Sequence, residues 1–105
     1  MQSRLDDFRA QDAEIIAVSV DPTDKLREIA DAYDLQYRLL SDPELSLIDA
    51  FGVRHDGGGM TGDTVARPAT FVLDRNGVIA WRDLTENWRI RVRPDRILDQ
   101  LSRLP

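Results

Sequence analysis

Residues 65–83, VARPATFVLDRNGVIAWRD, restrict the fold more than any other part of the chain. Ala69–Asp74 is mostly apolar on both faces, the pattern of a strand covered from both sides of a sheet. Asn76-Gly77 offers the positive φ angles of a two-residue hairpin turn, and Val78–Asp83 then returns antiparallel. Proline cannot donate to a sheet ladder, so Pro68 is expected at the strand's first position or just before it.

The rest of the chain alternates helix and strand. Residues 2–10 (QSRLDDFRA) read as the end of a helix, with Leu5 and Phe8 three apart on one face and no capping residue at its start. Ala13–Val20 is an apolar, β-branched run, predicting a buried parallel strand. Asp21-Pro22 then reads as an N-cap followed by proline at the first helical position. The helix through Asp34 carries Leu26, Ile29, Ala30 and Tyr33 on one stripe. Tyr37–Leu40 is a short strand candidate. Ser41-Asp42-Pro43-Glu44 has capping-box spacing, ahead of a short helix with Leu45, Ile48 and Phe51 that Gly52 ends. Arg54–Thr64 reads as a glycine-containing loop and Leu84–Arg93 as irregular or extended. Arg93-Pro94 opens a last helix with Ile97, Leu98, Leu101 and Leu104. The order (α)-β-α-β-α-ββ-α predicts one α/β domain with a mixed sheet over 1–105.

Composition removes several function classes. The chain has 105 residues, enough for one core without disulfides or metal. Its net charge of −5 argues against a nucleic-acid binder, which needs a basic face. The charge is uneven: residues 1–50 hold 12 acidic against 5 basic side chains, and residues 51–105 hold 7 against 9. Arg89, Arg91, Arg93 and Arg96 supply much of the second half's surplus and read as a solvated outer face. No run approaches the ~18–20 apolar residues of a membrane span. No apolar signal region follows the N-terminus, so the cytoplasm is expected. With no cysteine, the chain has no disulfide, thiolate zinc site or cysteine nucleophile of its own.

Few residues stand out as chemical candidates. Gly57, Gly58, Gly59 and Gly62 lack the spacing of a phosphate loop and do not join a strand to a helix, so they read as a surface loop. His55 is the only histidine, too few ligands for zinc, and no nucleophilic serine pairs with it. No metal or cofactor is expected. Arg67 differs, because Pro68 and the strand after it fix its place. A guanidinium there is either a structural ion-pair partner or an anion holder with several directed donors.

The segments AEIIAVSVDP, YRLLSDPELSLIDAFGV and ARPATFVLDRNGVIAWR, with the helix to Tyr33 between the first two, together resemble the thioredoxin-fold peroxiredoxins of the AhpC/TSA (redoxin) type. They occur in that family's order and cover nearly the whole chain. The resemblance implies a thioredoxin-like mixed sheet with flanking helices. It also implies a thiol-peroxidase lineage, in which a cysteine thiolate attacks peroxide. It places Arg67 as the arginine that stabilises thiolate and peroxide oxygens, and Pro68 at the substrate cleft in a cis peptide bond.

The chain departs from that pattern in one respect. The family's first central strand and its P-x-x-x-[TS]-x-x-C segment have no counterpart, so the domain is expected to be N-terminally incomplete. In the thioredoxin fold that strand lies between the strands at Ala13–Val20 and Ala69–Asp74. Its absence leaves three outcomes, direct pairing of those two strands, filling by another copy or another protein, or a partly unfolded chain, and the first two are the ones expected. A homodimer or a strand-supplying protein are the partners this implies, with no nucleic acid and no membrane. The function expected is that of a peroxiredoxin-like antioxidant domain, inactive alone for want of a cysteine. The alternative is a redox-dead binding or self-assembly module on the same fold.

Overall fold

The computed structural model describes residues 2–59, 61–84 and 92–104. A 3-10 turn, Gln2–Arg4, leads into helix α1, Leu5–Ala10. Leu5 and Phe8 are buried on its inner face, as their spacing predicts. Strand β1, Ile16–Ser19, pairs in parallel with β2, Arg38–Ser41, in a register running from Ile16 opposite Arg38 to Ser19 opposite Ser41. Parallel strands need a crossover, and helix α2, Thr23–Ala32, provides it. Leu26 is its buried contact, whereas Tyr33, expected on the same stripe, is the residue after the helix and stays 73% exposed.

The helix starts differ from their predicted caps. Pro22, in extended geometry, occupies the N-cap of α2. The Asp21 carboxylate instead accepts a 2.7 Å hydrogen bond from the Ser19 hydroxyl and lies 3.6 Å from Lys25 Nζ, so it is already engaged at the end of β1. Helix α3, Ser46–Ala50, begins after Leu45, whose φ of 66° is left-handed. Its free N–H at Ile48 is satisfied by the buried Asp42 carboxylate at 2.8 Å. Asp42 therefore supports this helix, in place of the reciprocal Ser41–Glu44 box.

Residues 54–64 are not wholly loop. Strand β3, Arg54–His55, pairs antiparallel with β4, Val65–Ala66, so the glycine segment is the tip of a short ribbon. Strand β5, Ala69–Leu73, then pairs antiparallel with β6, Ile79–Leu84. The connection is longer than two residues. Gly77 N–H donates to Asp74 C=O at 3.1 Å, and Gly77 alone in the turn has positive φ, at 81°. The register slips between Val72 and Leu73, as when a turn closes through a left-handed glycine and a bulge. The Asp74 side chain holds this turn by accepting from the N–H groups of Asn76 (2.9 Å) and Val78 (3.0 Å). Helix α4, Pro94–Ser102, starts with proline in its first turn, as read from the sequence. The extended segment expected at Leu84–Arg93 falls largely outside the described residues.

Phe8, Val72, Ile97 and Leu98 form the buried cluster, with Ala13, Ile15, Trp81, Val92, Leu101 and Leu104 packed against it. This cluster joins α1, the entry to β1, the β5–β6 hairpin and α4. Among the described residues β1 pairs only with β2 and β5 only with β6. Direct pairing of β1 with β5, one of the two expected outcomes, does not occur. Closing the space would displace the cluster, in which Phe8 is 2% exposed and Val72 4%. The cost appears on β1, where Ile16 (49%) and Val18 (37%) are exposed instead of buried as the apolar run predicts.

Pro68 also differs from expectation. No peptide bond among the described residues is cis, so Arg67–Pro68 is trans. The two isomers of an X–Pro bond differ by only about 0.5–1 kcal/mol, which leaves the choice to nearby contacts. Here the Arg67 N–H donates to Val53 C=O at 2.7 Å, which fixes the chain as it passes from β4 to β5.

Candidate functional site

Arg67 and Pro68 are the two residues between β4 and β5. Both are half-buried. The hydrogen bond from Arg67 N–H reaches the carbonyl of Val53, itself only 6% exposed, so the backbone carrying the guanidinium is anchored in the interior. Val53 is held in turn by its own N–H donating to Ile48 C=O at 3.1 Å, at the end of α3. The arginine's position is thus set by α3, the β3–β4 ribbon and the start of β5 together. A planar guanidinium on such a base can direct several N–H donors at one anionic oxygen group.

The surrounding charges are arranged as structural pairs. Arg54 makes a bidentate contact with Asp49, Nε to Oδ1 and Nη2 to Oδ2, both 2.7 Å. That contact pulls the Asp49 carboxyl below its ordinary value and raises the Arg54 guanidinium above its own. Asp63 is also lowered, chiefly by the Thr61 hydroxyl at 2.6 Å. These groups hold the ribbon and its tip.

The glycine cluster has a packing explanation. A Cβ on Gly58 would lie 2.3 Å from His55 Nδ1, and one on Gly59 would lie 2.4 Å from Asp63 Oδ1. A side chain at either position would force the His55 or Asp63 side chain to move, so glycine suits the places where these side chains fold over the loop. Among the described residues no group of three or more His, Cys, Asp or Glu side chains could hold a metal ion. No described helix is long and apolar enough to cross a membrane.

Sequence reasoning missed a polar cluster at the C-terminal ends of β1 and β2. Ser19 donates to Asp21 as described, and the Ser41 hydroxyl donates to Asp21 C=O at 2.6 Å. These bonds stitch the strand ends to the α2 entry. Serine at matching positions of two paired strands was the only available signal, and it is a weak one.

Comparison with known proteins adds the lineage. The model of the AhpC/TSA family matches residues 1–82. The chain is 34% identical over 80 residues to Rv2521 of Mycobacterium tuberculosis, a protein named as a peroxiredoxin, covering 74% of this chain and 50% of the relative. It superimposes on Mycobacterium tuberculosis AhpC with a TM-score of 0.79 at 27% identity, covering 95% of this chain and 55% of that one. Reduced Prx3 of Vibrio vulnificus, solved in complex with hydrogen peroxide, gives a TM-score of 0.84 at 21% identity over 97% of this chain and 64% of its own. The chain therefore has the thioredoxin-like fold of these structures. It spans about half the length of the curated relative.

Proposed function

This chain belongs to the AhpC/TSA family, and on that premise we propose that it is a peroxiredoxin-type antioxidant domain holding the anion-stabilising half of a peroxide-reducing site. The observation that carries this reading is the anchoring of Arg67 through Val53 at the mouth of β5. A site of this kind attacks the terminal peroxide oxygen with a thiolate. The S–O bond forms as the O–O bond breaks, the sulfur becomes a sulfenic acid, and the departing alkoxide or hydroxide takes up a proton. Arg67 would hold the thiolate and the oxygen that gains charge, with Pro68 shaping the cleft beside it.

The 105 residues contain no cysteine, so the nucleophile has to come from outside them. Alone, the chain is expected to consume no peroxide. The reading also includes one domain over 1–105, a cytoplasmic setting, and a partner that is either a second copy or a strand-supplying protein.

The test joins the chain to the strand and cysteine segment of a peroxiredoxin and follows peroxide consumption with a thiol reductant. The chain alone should match the blank and the chimera should exceed it. Arg67→Ala in the chimera should lower kcat/KM by about a hundredfold or more, the scale of losing one oriented donor, with partial recovery in Arg67→Lys. Turnover by the chain alone, or a chimera indifferent to Arg67→Ala, would refute the proposal.

A further inference from the structure

Leu5 and Arg9 lie one turn apart on α1, on the side toward the start of β2. Arg9 Nη2 donates across to Gln36 C=O at 3.4 Å, and the Gln36 N–H donates to the Gln2 side chain at 2.8 Å. From α1 the chain bends tightly toward β1, where the N–H groups of Gln11 and Ala13 both donate to Phe8 C=O, at 3.1 and 3.0 Å. These segments enclose a cavity of about 340 Å³ at the N-terminal ends of β1 and β2.

The floor of this cavity is apolar and its rim is charged. Leu5, 5% exposed, forms the floor with half-buried Ala13, Ile15 and Tyr37. Arg9, Glu14 and Arg38 stand exposed around it, with Arg38 Nε 3.0 Å from Glu14 Oε1. Two guanidiniums against one carboxylate make the rim locally cationic, although residues 1–50 hold 12 acidic against 5 basic side chains. The cavity is distant from Arg67. Arg75, just past β5, pairs with Asp12, just before β1, at 3.1 Å, so the end of β5 lies by the start of β1. Arg67 precedes β5 and therefore sits at the other end of that strand, whose five residues span roughly 16 Å.

We infer that this cavity binds a small organic acid, one carboxylate on a compact apolar body. Small-molecule sites share this build, an apolar lining with a few polar groups that fix orientation. The volume sets the size: at about 30 Å³ for each water-sized group, roughly eleven such groups fit. A guanidinium carries five N–H donors, and the contacts above use one on Arg9 and one on Arg38. Each can therefore present a donor pair to a carboxylate. Tyr37 gives an aromatic body a ring to pack against. Glu14 holds Arg38 and so competes with the ligand for it. An amine of the same shape would gain Glu14 and meet two arginines.

The probe is hydrocinnamate, an acid of this size, titrated into the 105-residue chain and followed by amide NMR shifts. Shifts should concentrate at residues 13–15 and 36–38 and saturate in the millimolar range. Hydrocinnamamide lacks the charge and inorganic phosphate lacks the body, so each should bind at least about tenfold more weakly. Arg9→Gln should weaken the acid by about tenfold, and Glu14→Gln should tighten it by releasing Arg38. Both side chains are exposed, so circular dichroism melts should match the wild type and separate lost binding from lost folding. Amide or phosphate binding as tightly as the acid would overturn the inference. So would shifts centred elsewhere, an Arg9→Gln chain that binds undiminished, or a Glu14→Gln chain that binds more weakly. None of these readouts involves peroxide, so failure of the redox reading cannot be mistaken for failure here.

Discussion

The rings of Phe51 and Phe71 lie 4.8 Å apart, tilted by 47°, and link the residue that closes α3 to the third residue of β5. Val53, which accepts the Arg67 N–H, lies two residues past Phe51. The aromatic pair and the backbone hydrogen bond thus clamp the same junction from two sides, and Arg67 sits inside that clamp. Aromatic pairs in this geometry add about 0.5–1.5 kcal/mol beyond area burial. A double-mutant cycle of Phe51→Leu and Phe71→Leu, read by urea denaturation, should return a coupling in that range. Simple additivity would show that the rings touch without reinforcing each other.

Phe8 is 2% exposed and clusters with Val72 of β5 and with Ile97 and Leu98 of α4. Phe8→Ala should cost about 3–5 kcal/mol, which rivals the whole stability of many small domains at ~5–15 kcal/mol. Phe8→Leu, which keeps most of the volume, should cost less than about half of that. Circular dichroism melts should show the alanine variant largely unfolded at room temperature and the leucine variant folded. A folded alanine variant with an unchanged melt would mean that the cluster is not the core of the domain.

The elements legible in the sequence were those whose side-chain pattern and local chemistry agree. Leu5 and Phe8 on α1, Pro94 opening α4, and the β5–β6 hairpin all follow from spacing and turn residues. Misreadings of the helix starts came where another nearby group in the chain competed for the capping side chain or N–H. Asp21 has cap chemistry, but Ser19 and Lys25 engage it. Ser41 and Glu44 have box spacing, but Asp42 reaches Ile48 first. Ile16 and Val18 have the composition of a fully buried strand, and only the pairing of the sheet shows that one edge of β1 lacks a neighbour. Arg67 was found because Pro68 and β5 fix its place. The trans bond and the Val53 contact depend on long-range packing that no local pattern encodes.

Asp42 is the one buried polar or charged residue of the described core, at 6% exposure, and its carboxylate caps Ile48 N–H at 2.8 Å. Asp42→Ala removes that acceptor from a buried helix start and should cost about 0.5–2 kcal/mol. At this chain length each kilocalorie corresponds to roughly 4–8 °C in Tm. Asp42→Asn retains an acceptor oxygen and should recover most of the loss. If both variants melt alike, charge and not hydrogen bonding is what α3 requires.

Acid should loosen the β3 end of the ribbon through Asp49. Its carboxyl is held below the ordinary 3.8, first by the hydrogen bonds from Arg54, against a smaller opposing effect of burial. Between 3.8 and that lower folded value, the unfolded chain binds more protons than the folded one, so stability rises with pH across this window. The contribution of the pair is therefore present above 3.8 and is lost as pH falls through the folded value. Both side chains are about half exposed, at 42% and 47%, so solvent and salt screen the effect. Urea midpoints from pH 7 down to pH 2 (roughly, the acid limit of the carboxylates) should show the wild type losing its margin over Asp49→Asn only in the acid window. Added salt should shrink that margin at neutral pH. A margin independent of both pH and salt would mean that Asp49 acts through packing, and that the bidentate contact is a consequence of the fold and not one of its supports.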